Sequence, residues 1–141
     1  MRKMLLAMPI LPLLLVACGE AAEEQPAAEE ELTEYQALGI EPGWTVDIRN
    51  NEITFTSQEA GNDFSLPVQR MKKTSAGWEI KGFSDQHNIT VAITSDKSCN
   101  DGMSDREYAD TVKISVSGSG HHDGCGGEIL SDPETTESEA T

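Results

Sequence analysis

Apolar residues occupy every second position in six short runs of the chain, and polar residues fill most of the positions between them. The six runs span residues 44–48, 53–55, 64–68, 78–80, 89–93 and 112–116. In the first run, Thr45 and Asp47 separate Trp44, Val46 and Ile48. Because successive side chains of a strand point to opposite faces, this alternation predicts strands with one buried face and one face in water. The chain is therefore expected to be all-β and antiparallel.

The segments between these runs have the composition of short turns. Asn50-Asn51 suits a two-residue hairpin, because asparagine tolerates the positive φ that such a turn needs. Residues 72–77 and 84–87 are further predicted turns. Strands joined in succession by short turns predict a meander of six to eight strands that closes into a small barrel or folds into a two-sheet sandwich. Of these two, we favour the barrel.

The N-terminus has the layout of a secretory signal peptide. Arg2 and Lys3 precede an apolar run of 14 residues, which is shorter than the roughly 20 residues that a membrane-spanning helix needs. Leu15, two small or aliphatic residues and Cys18 resemble the lipobox of bacterial lipoproteins. The resemblance implies a signal peptide at 1–17 and a membrane anchor at Cys18, acylated for example with palmitate. By the sorting rule of those lipoproteins, Gly19 implies the outer membrane of the cell envelope.

The chain has three cysteines, Cys18, Cys99 and Cys125, and an odd number in an exported protein requires an explanation. If lipid takes Cys18, the other two are left to form a disulfide in an oxidising compartment. Closing a loop of about 26 residues would stabilise the fold by about 3.5 kcal/mol on the chain-entropy model. Two reduced cysteines in the core are the alternative.

Both ends of the mature chain are acidic and low in complexity. Residues 18–34 hold seven of the 25 acidic residues and predict a solvated tether, and residues 128–141 hold five more and predict a disordered tail. The globular domain is thereby placed at 35–127, with 13 acidic and 8 basic residues and a net charge of −5. Because phosphate binding needs a basic face, we do not expect nucleic acid as a partner.

The segment CNDGMSDREY at 99–108 concentrates acidic residues, an arginine and a tyrosine, and this composition fits three kinds of loop. An EF-hand calcium loop needs a glycine at its sixth position and an acid at its twelfth. With Gly102 as the sixth residue, Lys97 is the first and Tyr108 the twelfth, so that pattern fails. A looser cation site would use Asp96, Asp101 and Asp105. No metal site is predicted.

Catalysis is the second interpretation, and it would use the carboxylates of Asp101 and Asp105 with Arg106 beside them. That chemistry needs two carboxylates facing a cleft at a set separation, which a linear sequence does not show. The third interpretation is a loop that braces itself: Gly102 permits a tight backbone, the two aspartates accept backbone N–H groups, and Arg106 pairs with a carboxylate across the loop. We favour this structural role for the loop, including Tyr108.

Three other segments contain residues with a possible local or functional role. Residues 104–110 fit one helical turn capped by Ser104, with Glu107 as the capping-box partner. The segment HHDGC at 121–125 has metal-binding residue types, but a surface turn is the favoured interpretation. Glu41 and Trp44 are candidate surface residues for a ligand, although a tryptophan that leads an alternating strand is more often part of the core.

Residues 38–48 and 99–116, with Gly124-Cys125, resemble a family of small, largely uncharacterised bacterial envelope proteins. Its members carry Gly-x-Glu-Pro-x-Trp near the start of the domain and Cys-x-Asp-Gly-Met-Ser-Asp-Arg-x-Tyr, followed by Gly-Cys, near its end. Gly43 stands where an aromatic residue is expected, and Ala109 where proline is expected. The resemblance implies an all-β lipoprotein and supplies no reaction.

These observations predict a non-enzymatic envelope lipoprotein whose domain binds or supports another component. The expected partners are the membrane, through the lipid anchor, and an envelope protein or a cell-wall component; no cofactor is expected. The alternative is a protein inhibitor of a cell-wall hydrolase. The chain resembles the lipoprotein inhibitors of lysozyme in size, lipidation and disulfide, and an acidic domain would be steered toward a basic enzyme.

Overall fold

A computed structural model describes residues 31–95 and 97–132. The predicted signal peptide, the lipidation site at Cys18, most of the tether and Asp96 lie outside these residues, as does the acidic tail from residue 133. The described chain forms ten β-strands: β1 (Glu34–Ile40), β2 (Gly43–Arg49), β3 (Glu52–Ser57), β4 (Phe64–Pro67), β5 (Arg70–Lys73), β6 (Gly77–Phe83), β7 (Asn88–Thr94), β8 (Cys99–Asn100), β9 (Glu107–Val116) and β10 (Gly120–Ser131).

All strand pairs are antiparallel and belong to one strongly curled sheet, a half-barrel. Its strand order is β4-β3-β2-β1-β10-β9-β7-β6-β5, and the two-residue β8 lies off this path and pairs with β9. The sheet therefore consists of two meanders, β1–β4 and β5–β10, which are joined where β1 pairs with β10. The predicted all-β class is confirmed. The number of strands is ten, because four elements without a clear alternation are strands as well.

The core lies on the concave face of the sheet and follows the predicted alternation. The most deeply buried side chains are Val46, Ile48, Ile53, Phe55, Ile80, Ile89, Val91, Val112 and Ile114. Asn50 and Asn51 form the predicted two-residue hairpin turn, with φ angles of 50° and 62°. Every strand that the six runs predicted thus turns its apolar face toward the core, although Phe64, Val68 and Trp78 are only partly buried.

The two ends of the sheet approach each other through packing rather than through strand pairing. Phe64 on β4 stacks on His87, which precedes β7, with ring centroids 4.6 Å apart. A Cβ atom on Gly82 of β6 would lie 3.1 Å from Leu66 Cβ, so β4 packs closely over this glycine. This contact covers the core between β4 and β6 although β4 and β5 are the edges of the sheet.

Three local predictions were wrong. The segment 121–125 is part of β10 and not a surface turn; the turn lies just before it, at 117–119. Residues 104–110 form no helical turn, because β9 begins at Glu107. Strand β10 continues to Ser131, beyond the predicted domain end at 127 and into the predicted tail. No helix in the described part of the chain is long and apolar enough to cross a membrane.

Candidate functional site

The disulfide fixes the start of the 99–108 segment against the outer face of the sheet. Cys99 of β8 is bonded to Cys125 of β10, with the two Cα atoms 5.4 Å apart, which confirms the predicted pair. Cys99 also lies opposite Tyr108 of β9 in the strand register. The segment from β8 to β9 is therefore held at both ends and forms a loop over the convex side of β1 and β10.

Asp101 organises the interior of this loop. Its carboxylate accepts hydrogen bonds from the backbone N–H of Met103 at 2.9 Å and of Ser104 at 2.8 Å. The Ser104 hydroxyl donates to the other carboxylate oxygen. Gly102 provides the tight backbone, with φ of +73° and its N–H on the Asn100 side-chain oxygen at 2.7 Å. Asp101 thus braces the loop in the way that the sequence predicted.

The hydrogen bonds to Asp101 outweigh the effect of burial on its acidity. Desolvation raises the pKa of this carboxyl, but the bonds from the Ser104 hydroxyl and from the N–H groups of Met103 and Ser104 lower it, and so does the charge of Arg106. The net result is a pKa below the ordinary value of 3.8. Asp101 is therefore an anion near neutral pH and is poorly suited to exchange protons there.

Arg106 and Asp105 take different parts in the loop from those of Asp101. Arg106 Nε donates to Asp132 Oδ2 at 2.9 Å, so one ion-pair partner of Arg106 follows β10, while its charge also acts on the Asp101 carboxylate across the loop. This pair ties the loop to the end of the described chain. Asp105 is exposed and has φ of +57°, and among the described residues its side chain makes no hydrogen bond that would brace the loop.

Three depressions on the convex side of the sheet adjoin this loop and share Leu38, and together we call them the outer groove. Their volumes are about 460, 620 and 350 Å³. Leu38 and Thr45 are paired across β1 and β2, and both point away from the core. Arg106 and Tyr108 line two of the three depressions. The groove therefore lies where the two sequence motifs, 38–48 and 99–108, meet in space.

The two candidate surface residues have different positions. Glu41 is exposed and lines one of the depressions, next to the Glu41-Pro42 peptide bond, which is cis. Trp44 is 3% exposed and belongs to the core, so the candidate role at the surface is wrong and the alternative, a core tryptophan that leads an alternating strand, is correct. Its indole packs against two glycines that leave room for it, Gly39 of β1 and Gly124 of β10. Within the described structure, Trp44 Nε1 is buried without a hydrogen-bond partner.

The groove is lined mainly by hydroxyl, amide and apolar side chains. The polar side chains that line one depression together with Arg106 include Thr45, Ser57, Gln58 and Ser104. The exposed Met103 and Ile129 stand at its margin, with 77% and 47% of their surface in water. Flexible or exposed apolar side chains beside polar groups are typical of a binding surface.

Metal-binding residue types do not cluster in the described structure. No three histidine, cysteine, aspartate or glutamate side chains of residues 31–95 and 97–132 lie close enough together to hold a metal ion. In the 121–125 segment, His122 Nε2 is 2.8 Å from the Ser119 hydroxyl, and Asp123 pairs with Lys113 at 3.1 Å. These residues therefore have partners within the β9–β10 hairpin.

Comparison of the chain with protein-family models, with curated proteins and with solved structures found no match.

The sequence predicted only some of the residues that line the outer groove. Leu38, Thr45 and Ile129 were not recognised as groove residues, because nothing in their local sequence separates an outward-facing side chain in a groove from one on an open sheet. The strand register brings them together.

Proposed function

We propose that this chain is a non-enzymatic lipoprotein of the bacterial envelope whose β-domain binds another envelope component in the outer groove. The observation that carries the proposal is the groove, where the two motif segments converge beside exposed apolar side chains. The lipid anchor at Cys18 rests on the lipobox resemblance, and the family of envelope proteins that the motifs resemble supports the same compartment. Gly19 supports the outer membrane, with the domain facing the periplasm.

The state of the charged residues in the groove supports binding rather than catalysis. Asp101 accepts hydrogen bonds from its own loop and has a lowered pKa, and Arg106 is paired with Asp132. Both charges hold the shape of the groove. A general acid or base instead needs a pKa near the working pH and a free approach to its substrate.

Capture of a partner from the envelope tests the proposal. The wild-type mature protein, cross-linked in solubilised envelope, is expected to retain a specific partner, and Thr45→Arg should lose it because the long side chain fills the groove. Thr90→Arg is the matched control, since Thr90 lies on the outward side of β7, away from the groove. Equal capture by all three proteins, or by none, would contradict binding in the groove.

The anchor is tested separately by Cys18→Ser. The wild type should sediment with membranes, whereas the variant should not, because stable anchoring requires acyl chains. Identical fractionation of the two proteins would refute the lipobox interpretation without affecting the groove.

The acidic excess of the domain favours one specific alternative, inhibition of a basic cell-wall hydrolase. With 13 acidic and 8 basic residues at 35–127, the domain would attract a cationic enzyme at low ionic strength. Under this alternative, the purified protein slows peptidoglycan hydrolysis by a lysozyme-type enzyme, and Thr45→Arg weakens the effect. Unchanged hydrolysis at low salt would exclude it.

A further inference from the structure

Strands β1 and β10 diverge at one side of the outer groove. They pair only at Ala37 with Gly126 and at Leu38 with Cys125. Beyond this point β10 continues to Ser131 beside β9, with register shifts on either side of Ile129. Gly127, with φ of +78°, lies at the start of this divergence and permits the change of direction.

The divergence leaves one edge of β10 without a strand partner. Within residues 127–131, Ile129 and Ser131 pair with β9 on one side, and on the other side no strand of the described chain pairs with this stretch. Their backbone N–H and C=O groups on that side can accept another strand. An edge of this kind is a template for an added extended segment unless charge or a covering element blocks it.

The same edge of β10 borders one apolar depression of the outer groove. The depression of about 350 Å³ lies between the end of β10 and the outward face of β1 and β2. Leu38, Tyr108 and Ile129 form its apolar surface, and Tyr108 is nearly buried while Ile129 remains 47% exposed. Every second side chain of an added strand would point into this depression.

Charges near the edge select the chemistry of the added segment. The two arginines of the region are already paired, Arg49 with Asp47 at 2.7 Å and Arg106 with Asp132 at 2.9 Å. Glu34 on β1 and Glu128 on β10 are exposed, and neither forms an ion pair with a described residue. The two diverging strands thus present negative charge, which is complementary to lysine or arginine.

We propose that an extended segment of a partner polypeptide, with apolar residues alternating with basic ones, adds as a strand to the 127–131 edge of β10. The proposal rests on the proposed binding function and names the partner's chemistry. A second copy of the chain is a poorer occupant, because its own edge carries Glu128 and its domain is acidic overall.

A synthetic peptide of about eight residues, alternating valine with lysine, is a suitable probe, since this length matches an ordinary strand. Hydrogen exchange of the wild-type mature protein reports where it binds, and protection should appear at amides 127–131. The control peptide has the same side chains but is N-methylated at alternate amides, which removes backbone donors. It should bind at least about tenfold more weakly, a difference of about 1.4 kcal/mol.

Two protein variants separate the edge from general electrostatics. Ile129→Lys places a charge in the depression and should weaken peptide binding by about tenfold. Thr90→Lys adds the same charge on the outward side of β7, away from the edge, and should change affinity by less than about threefold. Ile129 is about half exposed and Thr90 is outside the core, so both variants are expected to fold. The comparison of the two peptides uses only wild-type protein and therefore does not depend on the folding of any variant.

Several results would overturn the inference. Equal binding of the two peptides would exclude strand addition, and so would protection at amides other than 127–131. Slow exchange of 127–131 before peptide is added would mean that the chain covers its own edge. Concentration-dependent dimers that protect these amides would identify a second copy as the occupant. A partner captured from envelope equally by wild type and Ile129→Lys would refute strand addition but leave the proposed function intact.

Discussion

The Tyr35 hydroxyl donates a hydrogen bond to Asp110 Oδ2 at 3.0 Å, and strand β10 lies between the two residues in the sheet. Tyr35 belongs to β1 and Asp110 to β9, 75 positions later in the chain. The bond passes over Gly126, where a Cβ atom would lie 2.6 Å from the Tyr35 hydroxyl. A glycine in β10 therefore allows a side-chain link between strands that are not neighbours.

This link makes stability sensitive to alkaline pH. Burial, and then the charge and hydrogen bond of Asp110, raise the pKa of Tyr35 well above its ordinary value of 10.0. The unfolded chain therefore ionises first, and the stability that Tyr35 contributes is complete below pH 10 and is lost as pH rises beyond it. The free energy of unfolding, measured in urea, should fall more between pH 8 and pH 11 for wild type than for Tyr35→Phe. Equal losses would contradict the buried, bonded phenol.

The brace at Asp101 should be visible in both mutation and acid titration. Asp101→Ala removes the acceptor for three donors and should lower the free energy of unfolding by about 1 to 3 kcal/mol. Because the pKa of Asp101 is lowered in the folded state, its contribution is present above pH 4 and is lost as pH falls further. Chemical denaturation from pH 7 to pH 3 measures both effects.

Two neighbouring residues supply controls for this experiment. Asp105→Gly should leave stability unchanged or raise it by up to about 1 kcal/mol, because glycine adopts the positive φ of this position without strain. Arg106→Ala should cost about 1 kcal/mol or less, since the pair with Asp132 is partly exposed. Equal losses for Asp101→Ala and Asp105→Gly would contradict the assigned brace.

The fit of Trp44 against Gly39 predicts a specific coupling. A Cβ atom on Gly39 would lie 2.2 Å from Trp44 Nε1, so Gly39→Ala should destabilise the wild type by about 1 to 3 kcal/mol. In a Trp44→Phe background the smaller ring removes part of the clash, and the same substitution should cost less, although the backbone oxygen of Asp123 still lies 2.9 Å from the added Cβ atom. A double-mutant cycle measures this coupling. Additive losses would show that the ring is not the obstacle.

Removal of the disulfide should lower the free energy of unfolding by about 3.5 kcal/mol, because the bond closes a loop of 26 residues. The double variant Cys99→Ala, Cys125→Ala is compared with wild type by urea denaturation. Freshly purified wild-type domain should also contain no thiol that reacts before reduction or unfolding. Two titratable thiols in the native protein would rule out the bond.

The alternation of apolar and polar residues predicted the strands that bury aliphatic side chains, because each of these strands contributes its own apolar residues to the core. It did not predict β10, whose inward positions include Gly124 and Gly126. The rings of Trp44 and Tyr35, from other strands, fill the space that these glycines leave. A strand whose buried face is occupied by its neighbours' side chains has no apolar period of its own.

The candidate site shows the same limit. The bracing role of Asp101 could be predicted, since an aspartate beside a glycine bonds to backbone groups only a few residues away. The partner of Arg106 could not, because Asp132 is 26 positions further along the chain and is brought near by the register of β9 and β10. Local chemistry is readable from local sequence, whereas a groove formed between distant strands depends on the sheet.

The short contact between β1 and β10 also has a mechanical consequence. Strand β1 is joined to β2 by seven residue pairs but to β10 by two. A pulling force applied to the chain before Glu34 would load β1 first. Because two strand pairs and the Tyr35–Asp110 hydrogen bond resist shear less than seven strand pairs do, β1 would separate from β10 while it was still paired with β2, and the two meanders would separate at that junction. The disulfide would not prevent this, since both of its cysteines lie in the second meander.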